Sequence, residues 1–248
     1  MRTVGVDLAA EPINTAIAVI EWGSSVARVV AADLPGTDEV VLSHAQEADK
    51  VGIDCPLGWP NAFLEFLNAH HEYRLVLPDA VPSGSWRRSL AYRGTDEHVR
   101  STLGITPLSV ATDRIGITAM RSARLQVLLA RHGHTINRAG SGLIVEVYPA
   151  AGLKHWALPY RRYKRNSGRG SLDALVDHLQ QAAPWLHLGH HEQACRHSDH
   201  ILDSVICALL ARAAALNLTT PPPADQHTAA QREGWIAIPN CTLDQLAP

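Results

Sequence analysis

Short apolar runs, each ending near a single acidic residue, predict the central strands of a sheet. Residues 2–10 are rich in valine, leucine and alanine, and Asp7 is the acid among them. The same Val-Gly-X-Asp pattern returns at residues 51–54 and ends in Asp54. Side chains alternate across a strand, so each aspartate shares a face with the glycine two residues before it. Two such strands in parallel register would project two carboxylates from one face, beside glycines that leave space for a helix or an ion. Two unrelated strand-end aspartates that cap turns would give the same pattern.

Hydrophobic periodicity predicts further strands and helices along the chain. Strands at 14–22 and 26–34 flank a Gly-Ser-Ser turn and form a hairpin. A strand at 143–148 carries Glu146 on the face opposite its valines. Residues 78–94 are rich in proline, glycine and serine, which predicts a long loop. Helices are predicted at about 37–48, from 61, from 95 to just before 104, at 113–132, from 171 and at 198–216.

The order of these elements predicts an α/β fold with a mixed sheet. Strand one and the strand at 51–55 need a parallel pairing across a helical crossover. Three predicted helices fall between the strands at 51–55 and 143–148, where a simple domain would have one. We therefore predict one domain over residues 1–248, with a helical insertion at about 60–138 and a C-terminal brace at about 221–248.

Composition and charge indicate which classes of protein the chain could belong to. Of the 248 residues, 46% are apolar and 19% are charged, as in an ordinary globular domain. The net charge of -2 gives no overall attraction to nucleic acid, so such binding would need a local patch. The charged start leads directly into a strand, which predicts no signal peptide, and Asp203 and Arg212 interrupt the most apolar helix, which argues against a membrane span. Four scattered cysteines suit a reducing cytoplasm and no disulfide framework.

The last long helix adds further acids to the two strand aspartates. Asp199 and Asp203 lie one turn apart at the edge of its apolar stripe, where an acid either lines a site against the sheet or lies at the solvent boundary. Together with Asp7, Asp54 and Glu146 they would repel one another unless protonated or bound to cations. Oxygen ligands of this kind favour Mg²⁺ or Mn²⁺. Two such ions would suit in-line attack of water on a phosphodiester.

The chain resembles a known family through a set of short motifs spread along nearly its whole length. The motifs are Gly-Val-Asp-Leu-Ala at 5–9, Ile-Asp-Cys-Pro-Leu-Gly at 53–58, Arg-Gly-Thr-Asp at 93–96, Glu-Val-Tyr-Pro-Ala at 146–150, Tyr-Lys at 163–164, Leu-Asp-Ser at 202–204 and Glu-Gly-Trp-Ile-Ala-Ile-Pro at 233–239. They resemble the family called domain of unknown function 429, predicted nucleases of the RNase H-like fold, the superfamily of RuvC resolvases and transposase cores. The resemblance implies five strands in the order 3-2-1-4-5 and acids on strand one, strand four and the last helix. Asp7, Asp54 and Asp203 match those three places.

Basic residues supply candidate contacts to a nucleic-acid substrate. A dense run with interleaved Tyr160 and Tyr163 suits phosphate contacts and base stacking, or it is a solvated surface loop. Arg93 and Asp96 lie beside a candidate helix N-terminus, where they would orient a phosphate or simply pair with each other. The run consists of Arg161, Arg162, Lys164, Arg165 and Arg169.

Histidines and a cysteine crowd into residues 187–200. Such side chains can hold Zn²⁺, but no spacing among them matches a familiar zinc motif. A histidine close to the acidic cluster could instead position a water molecule.

The sequence supports three classes of function. The first is a nuclease that hydrolyses phosphodiesters of DNA or RNA with Mg²⁺ or Mn²⁺. The second is a phosphotransferase or nucleotide hydrolase of the actin-like and sugar-kinase type, although residues 8–11 lack a glycine-rich phosphate turn. The third is a catalytically inactive module that binds nucleic acid.

Overall fold

A mixed six-stranded sheet flanked by helices forms the centre of the computed structural model, which describes residues 1–77, 83–164 and 169–248, without the side chains of 169 and 170. The strands are β1 (Arg2–Asp7), β2 (Ala16–Trp22), β3 (Ala27–Asp33), β4 (Lys50–Ile53), β5 (Ile144–Glu146) and β6 (Leu186–His187). The helices are α1 (Asp38–Gln46), α2 (Asn61–His71), α3 (Ser83–Ala91), α4 (Gly94–Leu103), α5 (Ile115–Arg131), α6 (Pro149–His155), α7 (Arg169–Ala182), α8 (Glu192–His197), α9 (Asp199–Ala215) and α10 (His227–Glu233).

The strand order is β5-β4-β1-β2-β3-β6. β1, β2 and β3 form an antiparallel meander, whereas β4 and β5 join β1 in parallel. The predicted α/β mixed sheet is confirmed, but the predicted order of five strands is wrong because β6 adds a parallel strand beyond β3. β6 has two residues, which is too short to leave an alternating pattern in the sequence.

The two Val-Gly-X-Asp segments pair as predicted. β1 and β4 run parallel, and Gly5 lies opposite Gly52 in the register. A Cβ atom added to Gly5 would lie 2.0 Å from the backbone oxygen of Ser204, and one added to Gly52 would lie 2.5 Å from that of Cys207. Both glycines therefore allow α9 to pack directly on the sheet, which brings the acids of α9 close to the strand aspartates.

Replacing Gly5 with alanine is expected to reduce the free energy of unfolding by about 1–3 kcal/mol, because the new methyl group must push α9 away from β1. Gly84 in α3 is the matched control, since a Cβ atom there meets nothing within 4 Å. Gly84→Ala should instead be neutral or stabilise the protein by up to about 1 kcal/mol. Urea denaturation of both variants measures the contrast, and equal effects would contradict the close packing of α9.

Helix α9 is buried on all sides and lies across β1, β2 and β4. Ser198 caps it, accepting a hydrogen bond from the Ile201 amide at 3.3 Å. A helix that is covered on every side is apolar on every side. The single apolar stripe identified in the sequence therefore underestimates how much of α9 is buried. Among the described residues, no helix combines the length and the apolar content needed to cross a membrane.

The predicted loop at 78–94 is wrong over α3, while residues 78–82 lie outside the described residues. Glycine and serine there suggest a loop, but Trp86 packs edge-on against Phe66 of α2, with ring centroids 5.8 Å apart. The predicted helix at 113–132 is confirmed as α5, and the helix predicted from 95 is confirmed as α4, although Arg93 is its N-cap. Tertiary contact decides the structure where the local signal is weak.

The C-terminal segment braces the sheet beside β5. Ile236 forms a parallel bridge with Glu146, and the Ala237 amide donates to the Glu146 carbonyl at 2.9 Å. Trp235 is buried, and its indole donates to the Thr220 carbonyl at 2.9 Å. These contacts pack Trp235 into the fold and place the brace at the edge of the cavity described next.

Candidate active site

Asp7 and Asp54 lie side by side at the carboxyl ends of two neighbouring parallel strands. Asp7 ends β1, and Asp54 directly follows β4, with its amide donating to the Val6 carbonyl at 2.9 Å. Both line a cavity of about 320 Å³, a volume at the lower end of the range for small-ligand sites. Apolar side chains such as Pro107 and Leu108 form part of the remaining wall, and polar side chains form the rest.

Asp7 has a histidine partner. The Nδ1 atom of His200, in the first turn of α9, lies 2.7 Å from Asp7 Oδ2 and donates a hydrogen bond to it. This bond raises the pKa of His200 above its ordinary value, against the opposing effect of burial. His200 lies three residues before Asp203 on the same helix, and that spacing is the signal by which the sequence could have identified it.

The setting of Asp54 differs from that of Asp7. Within the part of the chain that the structure describes, no hydrogen bond or ion pair reaches its carboxylate. Burial raises the pKa of Asp54 well above its ordinary value, and the nearby charges of Asp7, Asp203 and Glu146 raise it further. A carboxylate in that setting is stabilised either by a proton or by a bound cation.

Asp203 faces a different pair of side chains. The Tyr163 hydroxyl donates to Asp203 Oδ1 at 2.8 Å, and Lys164 Nζ lies 2.7 Å from Oδ2. Burial raises the pKa of Asp203 to about 6, although the charge of Lys164 opposes the rise. The sequence could not predict either contact, because Tyr163 and its neighbour Lys164 are far from Asp203 along the chain, 40 residues in the case of Tyr163.

Glu146 belongs to a buried ion network with Arg93 and Asp96. Arg93 is 2% exposed, and its guanidinium donates to both oxygens of Glu146 at 2.7 and 2.8 Å. The same guanidinium donates to both oxygens of Asp96 at 2.9 and 3.1 Å. The Leu57 amide also donates to Glu146 at 3.0 Å. Of the two hypotheses for Arg93 and Asp96, mutual pairing is the arrangement found, although Arg93 and Glu146 still line the cavity.

Two further candidates from the sequence, Asp199 and Cys195, do not line the cavity. Asp199 is buried at the start of α9, where its charge acts on His200. Cys195 is fully buried in the main hydrophobic core, which removes it from the histidines around it. Across residues 1–77, 83–164 and 169–248, no three His, Cys, Asp or Glu side chains are placed to hold a metal ion as they stand.

The basic run divides into an exposed part and a part that faces the acids. Arg161 and Arg162 are exposed, and the Arg161 guanidinium lies 5.0 Å from the Tyr160 ring centroid. Tyr163 is buried against Asp203, so it is not available to stack on a base. Arg165 lies outside the described residues, as does the side chain of Arg169.

The donor chemistry fits a hard divalent cation at two carboxylates. Asp54 is free of partners in the described structure, and Asp7 uses one oxygen for His200. Carboxylate oxygens are the ligands that Mg²⁺ and Mn²⁺ take in proteins. Asp203 and Glu146 are engaged by Lys164 and Arg93, so Asp7 and Asp54 are the ligands that a cation would find first.

A family profile described as "Protein of unknown function (DUF429)" matches residues 5–228. The chain belongs to this family. The matched span of this DUF429 member includes every acid of the cavity together with Lys164 and His200. No curated protein and no solved structure matches the chain. The family description assigns no activity, so the function has to be argued from the site.

Replacing His200 with glutamine in the metal-free protein is expected to reduce stability most at low pH. The pKa of His200 is raised in the folded state above its ordinary 6.5, so the folded state binds the proton more tightly than the unfolded state. The stabilisation is therefore fully present below about pH 6.5 and is lost as the pH rises through the folded-state pKa.

Urea unfolding in EDTA between about pH 5 and pH 9 measures this difference. The matched control is His197→Gln, because His197 is exposed and bonds to Gln193 on its own helix. A loss of stability in His200→Gln that does not change with pH would contradict the charged pair.

Proposed function

We propose that this DUF429 member is a divalent-cation-dependent phosphodiester hydrolase that acts on nucleic acid. The observation that carries the proposal is the Asp54 carboxylate, which lines the cavity beside Asp7 and has no partner among the residues that the structure describes. At neutral pH an ionised, partly buried carboxylate next to a second one is unfavourable, and a bound Mg²⁺ or Mn²⁺ would remove the repulsion.

Each residue of the site has a role that follows from its contacts. Asp7 and Asp54 would hold the cation, and His200 keeps Asp7 Oδ2 in place through its Nδ1 atom. The cation would supply Lewis-acid polarisation of a phosphoryl oxygen. In the hydrolysis the water oxygen bonds to phosphorus, the ester P–O bond breaks, and the leaving oxygen takes up a proton. Arg93 holds Glu146 against the brace, which fixes the far wall of the cavity.

The order of the first five strands supports an RNase H-like core for this proposal. β3, β2, β1, β4 and β5 are consecutive neighbours within the larger sheet. The acids lie at the end of β1, just after β4 and on the last long helix, α9. This arrangement is the one that the resemblance to the RNase H-like superfamily implies.

An actin-like or sugar-kinase-type phosphotransferase is less well supported. Such an enzyme would use free backbone amides after the first strand to cradle phosphates. Here the Ala9 amide donates to Thr15 Oγ1 at 3.1 Å, so that donor is used within the loop. The segment that follows is a short 3₁₀ helix, Pro12–Asn14, which begins with a proline that has no amide hydrogen.

The proposal is tested by incubating the protein with end-labelled single-stranded, duplex and branched DNA and RNA. Cleavage of at least one substrate with Mn²⁺ and none in EDTA is the expected result, with Asp54→Asn as the inactive control. ATP is included in parallel, because release of ADP without cleavage of any nucleic acid would favour the phosphotransferase. No Mn²⁺-dependent product from any substrate would overturn the proposal.

Replacing both Arg161 and Arg162 with alanine is expected to weaken nucleic-acid binding and to reduce the slope of log K against log salt by about 2. Both side chains are exposed beside Lys164, which lines the cavity. Arg131→Ala is the control, since Arg131 is exposed at the end of α5. Fluorescence anisotropy at several salt concentrations measures the slope. A slope equal to that of the wild type would mean that the two arginines lie on a solvated surface that does not contact nucleic acid.

A further inference from the structure

Lys164 connects the third acid to the cavity. Its ammonium lies 2.7 Å from Asp203 Oδ2, and its side chain lines the cavity together with Asp7 and Asp54. The side chain is 58% exposed, so it reaches the acids from the surface. Its positive charge also acts on Asp54, where it opposes the rise in the pKa of that carboxyl. One ammonium thus stands among three carboxylates.

Both carboxylate oxygens of Asp203 already face a partner side chain. Oδ1 accepts from the Tyr163 hydroxyl, and Oδ2 meets Lys164, while the whole residue is 1% exposed. A cation bound between Asp203 and the strand aspartates would have to displace the ammonium of Lys164. Among the described residues, no three His, Cys, Asp or Glu side chains are placed to hold a metal ion as they stand.

The balance of charge agrees with this arrangement. When ionised, Asp7, Asp54 and Asp203 bring three negative charges, while Lys164 and a protonated His200 return one positive charge each. One divalent cation is therefore enough to neutralise the negative charge that remains. A second divalent cation would leave an excess of positive charge among the three acids and the lysine, and would repel the ammonium at close range.

We propose that the Lys164 ammonium takes the place of a second divalent cation, so that the site binds one cation and uses Lys164 as its other positive charge. This inference rests on the proposed function and departs from the two-ion arrangement that the sequence suggested. In the working site, Lys164 would face a phosphate oxygen of the substrate while it holds Asp203. Lys164 is therefore part of the acidic centre, apart from the exposed arginines beside it in the sequence.

The experiment counts bound Mn²⁺ per chain by calorimetry and by electron paramagnetic resonance, with no substrate present. The wild type should bind one ion. Lys164→Met keeps the length of the side chain and removes its charge, so it should bind two ions, with the broadened spectrum of a coupled pair. Lys164→Arg keeps the charge and should bind one. Arg161→Met removes a charge that stacks on Tyr160 and should also bind one.

Each outcome has a distinct meaning. Two bound ions in the wild type would overturn the inference, because the second cation would then bind even with the Lys164 ammonium present. One ion in both the wild type and a folded Lys164→Met would overturn it as well, while the proposed function stands. No bound ion in the wild type would overturn the proposed function and the inference with it. If Lys164→Met does not give a native melting transition, the count for Lys164→Gln decides.

Discussion

Replacing Arg93 with alanine is expected to destabilise the fold by about 3–5 kcal/mol, the largest loss of stability among the changes considered. Arg93 is almost fully buried and makes two-oxygen contacts with both Glu146 and Asp96. Its removal leaves two carboxylates in the interior without a counter-charge. It also removes a bond to the Glu233 carbonyl at 3.0 Å, which ties the brace to α4.

The matched control for this change is Arg100→Ala on α4, the helix whose N-cap is Arg93. Arg100 pairs with Glu97 at 2.9 Å, but both side chains are substantially exposed. Such a pair contributes about 0–1 kcal/mol. Urea denaturation of both variants gives the comparison. A loss for Arg93→Ala that stays within about 1 kcal/mol of the control would mean that water reaches the network and that the brace does not depend on it.

Replacing Asp54 with asparagine is expected to stabilise the metal-free protein by about 1–3 kcal/mol, and to remove both the response to Mn²⁺ and hydrolysis. The pKa of Asp54 is raised in the folded state, so its ionised form opposes folding. Asparagine lacks that charge. The gain in stability of the variant is therefore complete above the raised pKa of Asp54, and it disappears as the pH falls toward the ordinary pKa of an aspartate. Because a ligand is lost as well, activity should fall by a factor of about 10³ or more.

Asp225→Asn is the control for the Asp54 variant, because Asp225 is exposed in a short 3₁₀ helix near the C-terminus. It should leave the melting temperature and the Mn²⁺ response unchanged. Melting curves of the three proteins, with EDTA and with Mn²⁺, make the comparison. A less stable Asp54→Asn protein with an intact Mn²⁺ response would contradict the role assigned to this acid.

Much of the framework of this site could be predicted from the sequence, because it depends on local rules. Alternation along a strand places Asp7 and Asp54 on one face, and the glycines of the same motif indicate where a helix comes close. The helix that approaches is α9, which carries Asp203. The pairing register of β1 with β4, the close approach of a helix and the acid on that helix are each indicated by a pattern that spans only a few residues.

The partners of the acids could not be predicted in the same way. Arg93 meets Glu146 across 53 residues of sequence, and Tyr163 meets Asp203 across 40. Such pairings depend on how the helical insertion and the brace pack on the sheet, and no periodicity encodes them. Acids that look alike in the sequence therefore differ in their partners: Glu146 is bound by Arg93, Asp203 by Lys164 and Asp7 by His200, whereas Asp54 has no partner among the described residues.

The most direct test of the central claim is a crystal of the protein soaked in Mn²⁺ and measured at a wavelength that gives anomalous scattering from manganese. The account predicts a peak of anomalous density bounded by the carboxylates of Asp7 and Asp54, and no such peak in Asp54→Asn. A cavity without manganese density, or manganese bound only among the histidines of residues 187–200, would contradict it.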